Sequence, residues 1–191
     1  MKIACVLGSP RKTGHSATIA RHFLDKAENL GAKSQTFYLN GMHYFGCQAC
    51  YACKKKSDRC VVRDDLTDVL DAVRQADVLV LATGTYFGEV TGQLKGFIDR
   101  TFSFLKPDFH DNPQPSRLEP GKKMVFIVSQ FQPNEKLFAD IFPRYERFFE
   151  WYGYAERHLI RVCGASHDAD IMQRDEVVSL VEETAQKVMR K

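Results

Sequence analysis

Five short runs of apolar, β-forming residues recur along the chain, each followed by a longer segment with helical spacing. This alternation restricts the possible folds more than any other feature. The runs cover 2–8 (KIACVLG), 32–39 (AKSQTFYL), 78–83 (VLVLAT), 123–129 (KMVFIVS) and 155–162 (AERHLIRV), and the helical segments cover 15–29, 65–76, 91–105, 135–152 and 171–190. Strands joined through helices run parallel, because each crossover returns the chain to the same end of the sheet. The runs at 2–8, 78–83 and 123–129 are almost unbroken in apolar residues, as central strands covered on both faces require, whereas 32–39 and 155–162 are mixed and suit edges. The expectation is a doubly wound α/β fold, a five-stranded parallel sheet with helices on both faces.

A chain of 191 residues can bury one sizeable core, so a single domain over 1–191 is expected. The net charge is only +3, and the one tight basic cluster is Lys54, Lys55 and Lys56, so nothing marks a nucleic-acid or membrane partner. The first apolar stretch, 3–7, is too short for a signal-peptide core or a membrane span, which leads to the expectation of a cytoplasmic protein. The Pro-containing stretch 105–121 reads as a long surface loop, of a length that often serves function or an interface. Apolar residues at 138, 141, 142, 145, 148, 149 and 152 form a core-facing helical stripe with surplus aromatics that could make a subunit face.

In a doubly wound sheet the ligand sits past the carboxyl ends of the strands, which directs attention to the loops after residues 8, 83 and 129. In GSPRKTGHS (8–16), Gly8 allows a tight turn, Ser9, Thr13 and Ser16 offer hydroxyls, and Arg11 and Lys12 offer positive charge. The loop then passes through Gly14 and His15 into a helix whose first N–H groups are free, and the combination suits a phosphate. It lacks the Gly-Lys-Ser/Thr ending of a nucleotide P-loop and, with only Gly8 and Gly14, the dinucleotide fingerprint; the alternative is a capped, solvated turn. In TGTYFG (83–88), Gly84 and Gly88 let backbone approach a flat ring, Thr83 and Thr85 flank it, and Tyr86 and Phe87 can stack on it or simply end the strand as core aromatics.

Four of the six cysteines fall within fourteen positions, as Cys47, Cys50, Cys53 and Cys60 in a C-x2-C-x2-C-x6-C run inside the loop 45–63. In a reducing compartment such clustering points to soft-metal or redox chemistry rather than to structural disulfides. C-x2-C-x2-C winds tightly enough to offer three thiolates to an iron–sulfur cluster, with Cys60 returning as the fourth. Zinc is the nearest rival, although its sites usually pair two knuckles across a longer insertion, and free or oxidised thiols are the third option. Lys54–Lys56 would offset cluster charge or form a solvated face. Cys5 and Cys163 read as small buried hydrophobes. The six histidines show no ligand spacing, and no Ser-His-Asp or paired-carboxylate arrangement is visible.

The segments GSPRKTGHS, CQACYACKKKSDRCVVRDDL, TYFGEVTGQLKGFIDR and RVCGASHDADI, in that order, resemble the corresponding segments of the flavodoxin-fold NADPH-dependent FMN reductases, in particular their iron–sulfur-flavoprotein-like branch. The resemblance implies strand order 2-1-3-4-5 and bound FMN. Ser9, Arg11, His15 and Ser16 would hold its phosphate, with Lys12 and Gly14 in the same loop. Thr83, Gly84, Thr85, Tyr86, Phe87 and Gly88 would line its ring, and Ser129, with Gln130 and Phe131, would border it. The same resemblance implies a [4Fe–4S] cluster on the four cysteines and a homo-oligomer, dimer or tetramer. His15 stands where the family often has Asn, and Gly84 where it often has Pro. Asp99 and Arg100 are expected to be structural or interface residues.

The implied activity is hydride transfer from NAD(P)H to the flavin, with electrons passed on to free flavin, a quinone, or an iron–sulfur or protein acceptor. No indispensable acid or base side chain is expected. Two other classes are compatible with the residues: a flavodoxin-like electron carrier without turnover of its own, and a redox or metal sensor built on the cysteine loop.

Overall fold

The computed structural model describes residues 1–190. Five strands, β1 (Lys2–Leu7), β2 (Lys33–Tyr38), β3 (Val78–Gly84), β4 (Lys122–Ser129) and β5 (Tyr154–Val162), form one parallel sheet in the order β2-β1-β3-β4-β5. The mixed runs are the two edges and the apolar runs lie at the centre, as their burial demands. Six α-helices connect or follow them: α1 (His15–Asn29), α2 (Ala52–Lys55), α3 (Leu66–Gln75), α4 (Gly92–Arg100), α5 (Ile141–Trp151) and α6 (Asp175–Met189).

Alternation along the central strands divides the core into two layers. Ile3, Cys5 and Leu7 of β1, Val78, Val80 and Ala82 of β3, and Val125 and Ile127 of β4 pack with α1 and α6. Ala4 and Val6, Leu79 and Leu81, and Met124, Phe126 and Val128 face the other way, toward α3, α4 and α5. The Cys5 thiol lies in the first layer, where burial pushes its pKa up to about 12, so it behaves as a small apolar residue. Cys163, read from the sequence as buried, is instead partly exposed, because it stands just past the end of the edge strand β5.

Two adjacent lysines lock helices to opposite faces of the sheet. Lys122 Nζ donates to the carbonyls of Arg74 and Ala76 at the end of α3, and Lys123 Nζ donates to those of Val188 (3.0 Å) and Arg190 (2.8 Å) at the end of α6. Successive strand residues point to opposite faces, and helix C-termini carry partial negative charge, so each ammonium finds a ready partner.

Three helical segments are shorter than their apolar patterns. The 91–105 segment stops as an α-helix at Arg100 and continues as a 3₁₀ turn over Thr101–Phe104, and the 171–190 segment opens with a 3₁₀ turn over Ile171–Gln173 before α6. The 135–152 segment becomes helical only at Ile141, because Arg161 of β5 draws in the carbonyls of Glu135 (2.8 Å) and Leu137 (2.6 Å) and Phe138 adopts φ +63°. In its stripe Ile141, Tyr145, Phe149 and Tyr152 are buried, but Phe148 remains 47% exposed, and so does Trp151 beside the stripe, at 41%. The stretch 105–121 is a loop held at its base by a Leu105–Ser116 bridge. Among the described residues no helix is long and apolar enough to cross a membrane.

Lys122→Met would leave the carbonyls of Arg74 and Ala76 without their buried donor. Urea unfolding should show a loss of about 1–3 kcal/mol with an unchanged m-value.

Candidate functional site

The connections of β1 and β3 leave in opposite directions, toward β2 and β4, so the loops after these two strands border the switch point of the sheet. One side chain staples them together. Thr91, 1% exposed, caps α4 by accepting from Leu94 N (3.2 Å), donates its hydroxyl to the Gly8 carbonyl (2.7 Å), and gives its own N–H to Thr83 Oγ1 (3.1 Å). Thr83 is fully buried and its hydroxyl donates onward to Gly84 O, so it shapes the loop and does not face a ligand. Gly8 is required here for close approach as much as for the turn: a Cβ would stand 2.6 Å from Leu94 Cβ. Thr91 was passed over in the sequence; a threonine at the start of a helical segment is the N-cap signal that could have found it, whereas its second and third bonds leave no such mark.

The loop Gly8–Ser16 is tied down from two sides and braced by one bond of its own. Tyr38 Oη of β2 donates to Pro10 O (2.6 Å), Arg21 of α1 donates to Lys12 O (3.1 Å), and Arg11 N–H donates to Ser9 Oγ (3.2 Å). Gly14 is the N-cap of α1 and has no side chain to cap it, and the first turn holds no acidic residue. The first-turn N–H groups therefore stay available beside the buried Ser9 and Ser16 and the exposed Arg11 and Lys12. A dianionic phosphate matches that set in charge and in donor number. His15 lies at the edge of the loop, with Nε2 bonded to Ser166 O (2.8 Å) from the segment after β5.

Beyond Thr83 the chain makes a two-residue hairpin. Tyr86 and Glu89 exchange both backbone hydrogen bonds (2.8 and 3.1 Å), and Phe87 and Gly88 between them have φ +51° and +84°. Both central residues are left-handed, the primed turn that follows strand twist, and a phenylalanine holds that conformation only at a cost of about 1–2 kcal/mol. Its ring is fully exposed at the tip. Strain of this kind points to use of the aromatic, not to core packing. Thr85 N–H bonds to Ser129 O (2.8 Å), joining the hairpin to the end of β4, and Glu89 is held from α5 by Tyr145 Oη and Arg144 (both 3.0 Å). Thr85, Phe87, Gly88, Gln130, Phe131 and Phe138 line a cleft of about 400 Å³, and Thr85 Oγ1 is buried there without a hydrogen-bond partner. An apolar cleft with an orphaned hydroxyl fits a flat heteroaromatic ring carrying polar edge atoms. Gln130 of that lining is held from behind by Arg161 through a 2.7 Å bond, a pair the sequence did not expose.

The cysteine loop lies at the other end of α4. All four thiols, with Ile98, Arg100, Phe148 and Tyr152, line one largely apolar cavity of about 540 Å³. The chain winds past Cys47, Cys50 and Cys53 through two left-handed residues, Ala49 (φ +49°) and Tyr51 (φ +54°), and into the four-residue helix α2. Arg100, expected to be structural, closes the loop. Its guanidinium, 1% exposed, donates Nε–H to Cys60 Sγ (3.0 Å), Nη1 to Phe45 O (2.8 Å) and Asp64 Oδ2 (2.7 Å), and Nη2 to Val62 O (2.9 Å) and Asp64 Oδ1 (3.2 Å). Every N–H of the side chain is used. Burial alone would raise the Asp64 carboxyl, but the Arg100 hydrogen bonds and the Phe45 and Leu66 N–H groups outweigh it and hold its pKa below the ordinary carboxylate range.

Lys54 is only partly the free charge expected: its ammonium donates to Phe102 O (2.6 Å) and Leu105 O (2.8 Å). Burial still pushes the Cys53 thiol up, against the pull of Lys54. Among the described residues no three His, Cys, Asp or Glu side chains converge closely enough to hold a single metal ion. The four cysteines instead border one shared cavity, and four soft sulfur donors around it suit a soft metal or a redox group.

A family model for NADPH-dependent FMN reductases matches residues 1–130. Among curated proteins the chain is 32% identical over 109 residues to an iron-sulfur flavoprotein of Methanosarcina thermophila, covering 57% of this chain and 56% of that protein. It is 34% identical over 104 residues to an iron-sulfur flavoprotein of Archaeoglobus fulgidus, covering 54% of this chain and 47% of the other. The matched stretches thus span about half the length of these relatives. Among solved structures it resembles an NAD(P)H:quinone oxidoreductase from Methanothermobacter marburgensis, with TM-score 0.79 and 15% identity over 100% of this chain and 97% of that one. It also resembles an FMN-dependent NADH-azoreductase from Bacillus anthracis in complex with FMN, with TM-score 0.75 and 14% identity over 99% of both chains. At such identities the likeness is one of fold.

Asp64→Asn should cost about 3 kcal/mol or more at neutral pH, because it leaves a buried guanidinium without its counter-charge. The depressed Asp64 pKa stabilises the fold above the unfolded carboxylate value, about 4, and that contribution disappears as pH falls through the lower folded value. Thermal midpoints measured from pH 7 to pH 3 should therefore converge for wild type and variant at the acid end.

Proposed function

The chain belongs to the NADPH-dependent FMN reductase family, and from that membership we propose that it is an FMN-dependent oxidoreductase that takes a hydride from NAD(P)H and passes the electrons to another acceptor. One observation carries the proposal. A phosphate-suited helix start and a ring-suited aromatic hairpin stand side by side at the switch point, stapled through Thr91. Bound FMN would supply the hydride acceptor and the means to release electrons one or two at a time.

The protein's part is to bind, orient and shield. Ser9, Arg11, Ser16 and the first-turn N–H groups of α1 would hold the phosphate, with Lys12 adding charge and His15 adding a ring nitrogen at the rim. Gly84, Thr85 and Gly88 bring backbone to the ring edge, and the Thr85 hydroxyl gains a partner there that it lacks within the protein. Tyr86, 42% exposed, and Phe131, 66% exposed, with Phe87 at the tip, leave aromatic faces on which a nicotinamide or a flat acceptor can stack. The hydride step itself would need no protein acid or base, and the proton left behind when the electrons depart singly would pass to solvent at the open face of the site.

The four cysteines would hold an iron–sulfur cluster that accepts electrons singly, which favours an iron–sulfur or protein acceptor over a quinone. Cys47 and Cys50 are exposed and Cys53 and Cys60 partly so, as ligands at an electron-exit surface would be. The exposed Tyr51, Phe148 and Trp151 beside this loop suit a subunit contact in a homo-oligomer.

Anaerobic addition of NADH or NADPH to the FMN-loaded protein should bleach the flavin absorption within seconds. Failure with both donors would sink the activity. Arg11→Ala should weaken FMN binding roughly 10- to 100-fold, the worth of a charge-assisted hydrogen bond, in a fluorescence titration. An unchanged affinity would remove Arg11 from the phosphate site.

A further inference from the structure

We propose that Arg100 is the positioning residue of the cysteine site: its Nε–H, 3.0 Å from Cys60 Sγ, fixes that sulfur as the anchored ligand and raises the reduction potential of an iron–sulfur centre held there. The proposal rests on the cluster reading given above. Of the four thiols, Cys60 is the one whose sulfur meets a fully committed, buried guanidinium. The same guanidinium grips Phe45 on one side of the loop and Val62 and Asp64 on the other. Cys60 is therefore held in place before any metal arrives, while Cys47 and Cys50 stand exposed on a segment wound through two left-handed residues. A site built this way presents one anchored ligand, Cys60, and two exposed ones, Cys47 and Cys50, with Cys53 carried on the short helix α2.

The effect on potential follows from charge. Reduction of a thiolate-ligated centre brings in one electron from the reduced flavin, with no bond broken and no group lost, so negative charge grows on the sulfur ligands. An N–H aimed at one of those sulfurs stabilises the reduced form more than the oxidised form, and hydrogen bonds to sulfur are among the main determinants of cluster potential. Position adds a second consequence. Arg100 ends α4, and Thr91, which begins it, binds Gly8 and Thr83 at the proposed flavin site. Nine helical residues, about 13 Å, thus separate the two groups that order the two redox sites. α4 holds the donor and acceptor ends at a set spacing.

Two variants separate the hydrogen bond from simple charge. Arg100→Lys keeps the positive charge opposite Asp64 but has no Nε–H for Cys60, whereas Lys95→Met removes a positive charge from the wall of the same cavity and leaves the Arg100–Cys60 bond intact. All proteins would be reconstituted without oxygen with iron and sulfide, analysed for iron, sulfide and FMN, and titrated potentiometrically with EPR detection. The expected result is roughly four iron per chain in the wild type, a clearly lower potential in Arg100→Lys, and a smaller shift in Lys95→Met. An Arg100→Lys potential equal to that of the wild type, or a larger shift in Lys95→Met, would overturn the proposal and leave the cluster in place. A wild-type protein that takes up no iron and sulfide would overturn the cluster reading and this proposal with it. Should Arg100→Lys fail to fold, wild-type protein labelled with ¹⁵N-arginine should show a ¹⁵N hyperfine coupling in the reduced state. Its absence would remove the hydrogen bond from the cluster.

Discussion

The buried pairing of Arg100 with Asp64 is the constraint on which the arrangement around α4 depends. A guanidinium with no solvent contact is tolerated only when each of its donors and its charge are matched, and here the partners come from both ends of the cysteine loop. A loop of about twenty residues in which no side chain is fully buried could not order itself by burial alone. The ion pair supplies the missing order, and it does so on the helix that also anchors the loops at the sheet's carboxyl end.

Thr91 serves the opposite end of that helix by similar means. A single hydroxyl accepts from the helix and donates to Gly8, while the adjacent N–H binds Thr83, so two loops far apart in sequence are set against one another with three hydrogen bonds. Gly8 makes the approach possible because any Cβ would collide with Leu94. The phosphate-suited turn and the aromatic hairpin are consequently parts of one rigid unit, and the strain of a left-handed Phe87 is carried by the firm packing behind it. Glu89, held by Tyr145 and Arg144, extends the same support to α5.

The lysines at the start of β4 show how a sheet of this kind fastens its helices. Lys122 and Lys123 point to opposite faces and terminate α3 and α6 respectively, each gaining from the negative end of a helix. From the sequence only Lys123 fell within the expected strand, 123–129. In the fold both lysines are almost as buried as the residues that follow them, at 7% and 9% exposure, which the apolar lengths of their side chains permit.

The five strands, their central or edge positions, the places of most helices and the loops in which to look for chemistry were legible along the chain, because burial periodicity and turn residues are local properties. The sequence also identified the cysteine run and the family to which the chain belongs. That helix α5 begins only at Ile141 emerges in the fold, where the guanidinium of Arg161, from β5, takes up the carbonyls of Glu135 and Leu137. Only the tertiary structure decided that Thr83 faces the interior, that Lys54 is tied to backbone carbonyls, and that Cys60 alone meets Arg100, forty residues away. The bonds of Arg161, Lys54 and Arg100 join groups more than twenty residues apart, and such a bond has no periodicity by which one chain could announce it.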